Sequence, residues 1–206
     1  NMEGLVRFAR TVLRLTLAFE LGGALILALN WWPSLGFGRA LWFGLFHAVS
    51  AFNNAGFTLW SHSLTSWKGD VVVNGVVTAL VIAGGLGFFV WAELLKGRTH
   101  EIKRSVHTRL VLAATAALLV GGTVAILALE WFNPNTLAPL SLKDKLLTAW
   151  FQSVTARTAG FNTIDIGAMT VPSLFVMMAL MFIGASPGGT GGGVKTSTFA
   201  ITLAAL

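Results

Sequence analysis

Apolar and polar positions in this chain sort into long blocks, not into the short alternations of a soluble fold. A helix needs about 20 apolar residues to cross a hydrocarbon core about 30 Å thick. Three stretches of about that length run over 11–30, 71–95 and 110–130. A fourth starts at Pro172, a residue suited to a first helical turn. It breaks in a glycine-rich segment at 184–195 and resumes to the chain end. Two shorter apolar stretches, 39–52 and 142–155, lie between the long ones. They are too short to span and read as re-entrant helices. The order long, short, loop, long thus occurs twice, once in residues 1–105 and once in 106–206.

The repeat extends to individual residues. Phe46, Val49 and Ala51 match Phe151, Val154 and Ala156 at an offset of 105. Ala55, Gly56 and Phe57 match Ala159, Gly160 and Phe161 at an offset of 104. The single-residue gap falls between the short helix and the Ala-Gly-Phe triplet. Matching units of this size are the signature of a duplicated architecture. The expected fold is an all-α membrane protein: tandem helix–pore-loop–helix repeats, potassium-channel-like, with a broken last helix.

Composition agrees with a lipid bilayer as surroundings. The chain of 206 residues is 55% hydrophobic and 11% charged, against about 25% charged in soluble domains. It holds no cysteine, which excludes disulfides and thiolate metal sites. The net charge of +6 forms no stripe, so nucleic acid is not expected as a partner. Basic residues instead gather before the first span (Arg7, Arg10, Arg14) and between the second and third (Lys96, Arg98, Lys103, Arg104, Arg109). Positive charge marks the cytoplasmic side. The other connections nearly balance: Lys143 and Lys145 face Glu130 and Asp144, and Lys68 sits beside Asp70. The re-entrant helices therefore enter from outside. Trp31, Trp32, Trp42, Trp60, Trp67, Trp131 and Trp150 fall at that outer level as an expected aromatic belt, with Trp91 at the inner one.

Non-helical backbone at membrane depth is tolerated only when buried in protein or lining water. Two such loops at equivalent positions predict a pore. Each short helix aims its C-terminus, the negative end of its dipole, toward the loop. The loops, Asn54, Ala55, Gly56, Phe57, Thr58 and Thr158, Ala159, Gly160, Phe161, Asn162, hold no carboxylate. A cation there must be coordinated by carbonyls, helped by Thr or Asn side chains. Rings of backbone carbonyls are a potassium-filter solution. The glycines permit backbone angles that turn carbonyls toward one axis. Arg157, directly before the second loop, is expected to brace it, with repulsion of a second cation as the alternative.

These segments, from Ser50 to Phe57, from Phe151 to Asn162 and from Gly184 to Thr196, resemble the Trk/Ktr/HKT superfamily of potassium transporters, and its bacterial Trk/Ktr branch most of all. The resemblance covers essentially the whole chain. It implies four helix–pore–helix repeats around one pore, with Gly56 and Gly160 as the central glycines of two filter strands. The units here look like the second and third repeats. It also implies potassium as the transported ion, a homodimer, a cytoplasmic nucleotide-binding regulatory ring as partner, and the bacterial cytoplasmic membrane as location. The chain reads as a piece of a longer protein, or alternatively as a two-repeat protein that dimerises. In the resembling family the glycine-rich break, with Gly184, Ser186, Gly188, Gly189, Thr190, Gly191, Gly192, Gly193 and Lys195, is an intramembrane gating loop. A phosphate-binding loop would need lysine directly after glycine and a preceding strand, but Val194 intervenes.

Other functions fit less well. A secondary active solute transporter or Na⁺-coupled cation transporter also uses broken helices, but its repeats are commonly inverted. An enzyme would need a nucleophile–base pair or metal cluster at depth. No organic cofactor is expected. Glu20, inside the first span, reads as a partner in helix pairing. His47 reads as packing; His62, His100 and His107 have no metal-ligand spacing.

Overall fold

The computed structural model describes residues 2–96 and 105–204. The first apolar block forms α1 (Met2–Leu35), about 51 Å long at 1.5 Å per residue. Pro33 lies in its last turn. Gly36 then takes a positive φ of 76°, and α2 (Phe37–Phe52) starts at once. At about 24 Å, α2 is shorter than a hydrocarbon core. It crosses α1 closely at Gly44, where a Cβ would lie 2.5 Å from the Ala24 carbonyl oxygen.

The second repeat unit follows the same plan. Helix α5 (Val106–Glu130) starts on Ser105, whose hydroxyl caps Thr108 N–H. Helix α6 (Leu142–Ala156) starts on Ser141, which caps Asp144 N–H. Helix α7 (Val171–Phe182) is capped by Thr170, and α8 (Thr196–Ala204) resumes after the glycine-rich loop. Among the described residues, α1 and α5 are each long and apolar enough to cross a membrane. Arg98, Lys103 and Arg104 of the expected inner charge cluster, and His100, lie outside the described residues.

The block 71–95, expected as one span, forms two helices. Helix α3 (Val71–Leu86) and α4 (Phe88–Lys96) meet at 95°. Gly87 stands between them at φ +90°, a conformation that costs a side-chain-bearing residue dearly. A Cβ there would also lie 2.4 Å from the Pro187 carbonyl oxygen. Apolar periodicity cannot register such a bend, because both arms are equally greasy. Asp70 sets the start of α3 by accepting from Val72 and Val73 N–H, and it also receives the Asn30 amide of α1 at 2.8 Å.

The tryptophans of the expected belt are only partly exposed. Trp32 and Trp42 are exposed, but Trp31 is wholly buried. It packs edge-on against Trp60 at 5.0 Å and tilted against Trp67 at 5.7 Å. These rings fill the space behind the first pore loop, a tertiary role that position along the chain does not reveal.

Glu130, expected merely as an outer charge, is a buried clasp between α5 and α7. Its Oε1 accepts from Thr170 N–H (2.8 Å) and Thr170 Oγ1 (2.7 Å). Its Oε2 accepts from Asn133 Nδ2 at 2.7 Å and from the Thr136 hydroxyl. Lys145 does not pair with it and sits 4.4 Å over the Trp131 ring.

Candidate ion filter and the loop beside it

The loops that follow α2 and α6 have one design. Asn54 and Thr158 take φ of 52° and 71°; Gly56 and Gly160 take φ of 72° and 88°. Ala55 N–H donates to Ser50 O at 2.8 Å and Ala159 N–H to Thr155 O at 3.0 Å. Ser50 Oγ donates to Phe57 O, and Thr155 Oγ1 to Phe161 O, both at 2.8 Å. All these pairs are related by the offsets of the sequence repeat.

The two loops touch at their glycines. A Cβ on Gly56 would lie 2.3 Å from the Ala159 carbonyl oxygen and 2.9 Å from Gly160 Cα. A Cβ on Gly160 would meet Gly56 Cα at 3.5 Å, an ordinary contact. A side chain at Gly56 is therefore opposed by space as well as by backbone angle, and one at Gly160 by angle alone.

Not every carbonyl of the expected filter is free. Those of Phe57 and Phe161 are held by the hydroxyls named above, and that of Asn162 accepts Leu64 N–H at 2.9 Å. The Asn162 N–H donates to Ser63 Oγ at 2.9 Å. Among the described residues, the carbonyls of 54–56 and 158–160 accept no hydrogen bond. The Thr58 hydroxyl donates to Trp60 O at 2.9 Å. The set expected from sequence is thus brought together, with its unengaged oxygens concentrated at the start of each strand.

The glycine-rich segment lies against those starts. Asn54 Nδ2 donates to Thr190 Oγ1, which donates to Phe52 O, each at 2.8 Å. Gly192 N–H donates to Thr158 Oγ1 at 3.1 Å. The segment closes on itself: Gly184 N–H donates to Val194 O (3.1 Å), Ala185 N–H to Gly192 O (2.9 Å) and Lys195 Nζ to Gly191 O (2.8 Å). Ser186 and Thr196 hydroxyls pair at 2.8 Å. It is also seated in the α3–α4 bend, where Ser186 N–H donates to Gly85 O (2.9 Å), Thr190 N–H to Gly84 O (3.0 Å) and Phe88 N–H to Gly188 O (3.1 Å). Sequence reasoning missed this seat. Its signal was present as three glycines, Gly84, Gly85 and Gly87, inside one apolar block.

Arg157, for which the sequence supplied no partner, ends α6 and is buried. Its Nη2 donates to Gly184 O at 3.0 Å. Glu20 of α1 accepts from Asn53 Nδ2 at 2.7 Å. Asn53 lies in the stretch 52–54 that faces 157–158 across the one-residue gap between the repeats.

One inequality breaks the likeness of the two units. Phe161 is 0% exposed and belongs to the buried cluster built with α2 and α3, whereas its counterpart Phe57 is 69% exposed. Phe57 instead borders an open apolar groove of about 380 Å³ with Trp42, Phe46 and Val49.

A family described as TrkH, a cation transport protein, matches residues 1–206. The Ktr system potassium uptake protein B of Bacillus subtilis is 41% identical over 203 residues, covering 98% of this chain and 45% of that protein. The protein of the same name in Vibrio alginolyticus is 42% identical over 203 residues, covering 97% and 44%. The potassium/sodium uptake protein NtpJ of Enterococcus hirae is 39% identical over 204 residues, covering 98% and 45%. The crystal structure of the potassium transporter TrkH from Vibrio parahaemolyticus is similar in fold, with a TM-score of 0.76 at 18% identity, over 96% of this chain and 40% of that one. The chain spans less than half the length of these relatives.

Proposed function

This chain belongs to the TrkH family of cation transport proteins, and from that premise we propose that it supplies two filter strands of a potassium uptake protein in the bacterial cytoplasmic membrane. The observation that carries the reading is the concentration of free carbonyls at 54–56 and 158–160, on two matched strands in contact at Gly56 and Gly160. Carbonyl oxygens in such a cluster replace the water shell of a monovalent cation. The helix dipoles of α2 and α6, whose C-termini open onto the strands, favour positive charge there.

Two strands do not close a ring around an ion. The exposed Phe57 marks where a further unit belongs, since Phe161 is buried by the unit before it. The chain is read as the second and third of four repeats, in keeping with its share of the relatives' length. The loop at 184–195 is the gate: it lies against both strand starts through Thr190 and Gly192. The complete protein is a homodimer regulated by a cytoplasmic nucleotide-binding ring, a reading that rests on family likeness. The Enterococcus hirae relative is named for potassium/sodium uptake, so uptake of Na⁺ beside K⁺ is the second reading.

Flux measured with the full-length protein in liposomes under an imposed K⁺ gradient tests the proposal. K⁺ entry that exceeds Na⁺ entry is expected. A well-incorporated protein that passes no K⁺ overturns it.

A further inference from the structure

Each short helix places a wholly buried polar side chain at one position that the repeat makes equivalent. They are His47 on α2 and Gln152 on α6, both 0% exposed. The repeat offset of 105 sets them at equivalent positions. Each reaches the residue just past its own filter strand. Leu59 N–H donates to His47 Nε2 at 3.4 Å, and Gln152 Nε2 donates to Thr163 Oγ1 at 3.2 Å. Leu59 and Thr163 are themselves equivalent, at the offset of 104.

The tautomer of His47 follows from these bonds. Leu59 donates, so Nε2 holds the lone pair. Nδ1 then carries the proton and donates to Phe43 O at 2.7 Å. Both ring nitrogens are committed, and Trp31 and Trp60 pack on the ring at centroid distances of 5.3 and 4.7 Å. A side chain fixed in this way is a rigid post, not filler.

A filter strand faces a particular mechanical problem. The carbonyls that meet the ion cannot also be tied to protein, so the strand must be held by its other groups. Ser50 and Thr155 hold one point on each strand, the carbonyls of Phe57 and Phe161. His47 and Gln152 hold a second point, two residues further out. Two points define the direction of a strand where one leaves it free to pivot.

The geometry points to His47 and Gln152 as a matched pair of positioning residues that fix the outer ends of the two filter strands and so set ion preference. This inference rests on the filter reading above. Different side chains perform the same task because one strand offers a backbone N–H and the other a threonine hydroxyl.

The test uses the full-length protein in liposomes, with the ratio of K⁺ to Na⁺ entry as readout and monodispersity in detergent as the check of folding. His47→Leu and Gln152→Met remove the hydrogen-bonding end and keep much of the volume. Each lowers the ratio by about three- to tenfold, the scale of one lost hydrogen bond, while flux persists. His47→Gln, which installs the side chain used by the other repeat, recovers most of the preference lost in His47→Leu. If His47→Leu does not fold, Gln152→Met carries the same reading on the other strand. Folded Leu and Met variants with the unmodified ratio overturn the brace and leave the filter standing. An unmodified protein without K⁺ preference overturns the filter reading, and this inference with it.

Discussion

The Arg157 guanidinium donates to the Gly184 carbonyl at 3.0 Å, joining the end of a pore helix to the first residue of the glycine-rich loop. Both partners are buried. A hydrogen bond from a charged group contributes about 1.5–3 kcal/mol. The contact therefore biases the position of the whole loop, whose other charged bond, from Lys195 to Gly191 O, is internal to it.

Arg157→Met keeps the apolar stem and removes the donor. In the gate reading it releases the loop, and basal K⁺ entry without the regulatory partner rises by about tenfold or more, the equivalent of at least 1.4 kcal/mol. The measurement is flux with and without the partner. Unchanged basal flux in a folded variant would show that Arg157 only packs.

Glu130→Gln tests the clasp between α5 and α7. The carboxylate receives donors on both oxygens, two of them from Thr170. An amide places N–H groups against donors on one side, at a cost of about 1–3 kcal/mol. Thermal unfolding in detergent should shift down by several degrees, with K⁺ over Na⁺ preference retained. Equal stability would mean that the cluster relaxes around water.

Much of the fold was legible from block length alone. The two short helices, the duplicated loops and the break before the last helix follow from runs of apolar residues and their interruption by glycine. The bend at Gly87 was not, because periodicity within an apolar block is silent about direction. Trp31 and Glu130 misled for a related reason: position along the chain predicts depth, and tertiary packing decides whether a side chain at that depth meets lipid or protein. In the site, the repeat located both strands, but it could not show that the Phe57 and Phe161 carbonyls are taken by Ser50 and Thr155. Nor could it show that Thr190 bridges Asn54 and Phe52, since those residues lie far apart in sequence.

The orientation has its own test. Ser61 is exposed on the loop after the first filter strand, and Glu3 is exposed at the other end of α1. The distribution of Arg and Lys predicts Glu3 on the cytoplasmic side. A cysteine at Ser61 should react with an impermeant maleimide in intact cells. A cysteine at Glu3 should react only after the cells are opened. The reverse pattern would invert the assignment.

The central claim is that Gly56 and Gly160 belong to one ion path, and their unequal surroundings make it testable. Gly56→Ala adds a methyl 2.3 Å from the Ala159 carbonyl oxygen, whereas Gly160→Ala meets only an ordinary contact at 3.5 Å. Both pay the strain of a positive φ, about 1–2 kcal/mol. The decisive measurement is the ratio of K⁺ to Na⁺ entry for the two single variants and the double variant in liposomes. The account predicts that both single variants lose preference, that Gly56→Ala loses more, and that the double variant falls short of their combined loss because the residues touch. Folded single variants that retain the unmodified ratio would contradict it.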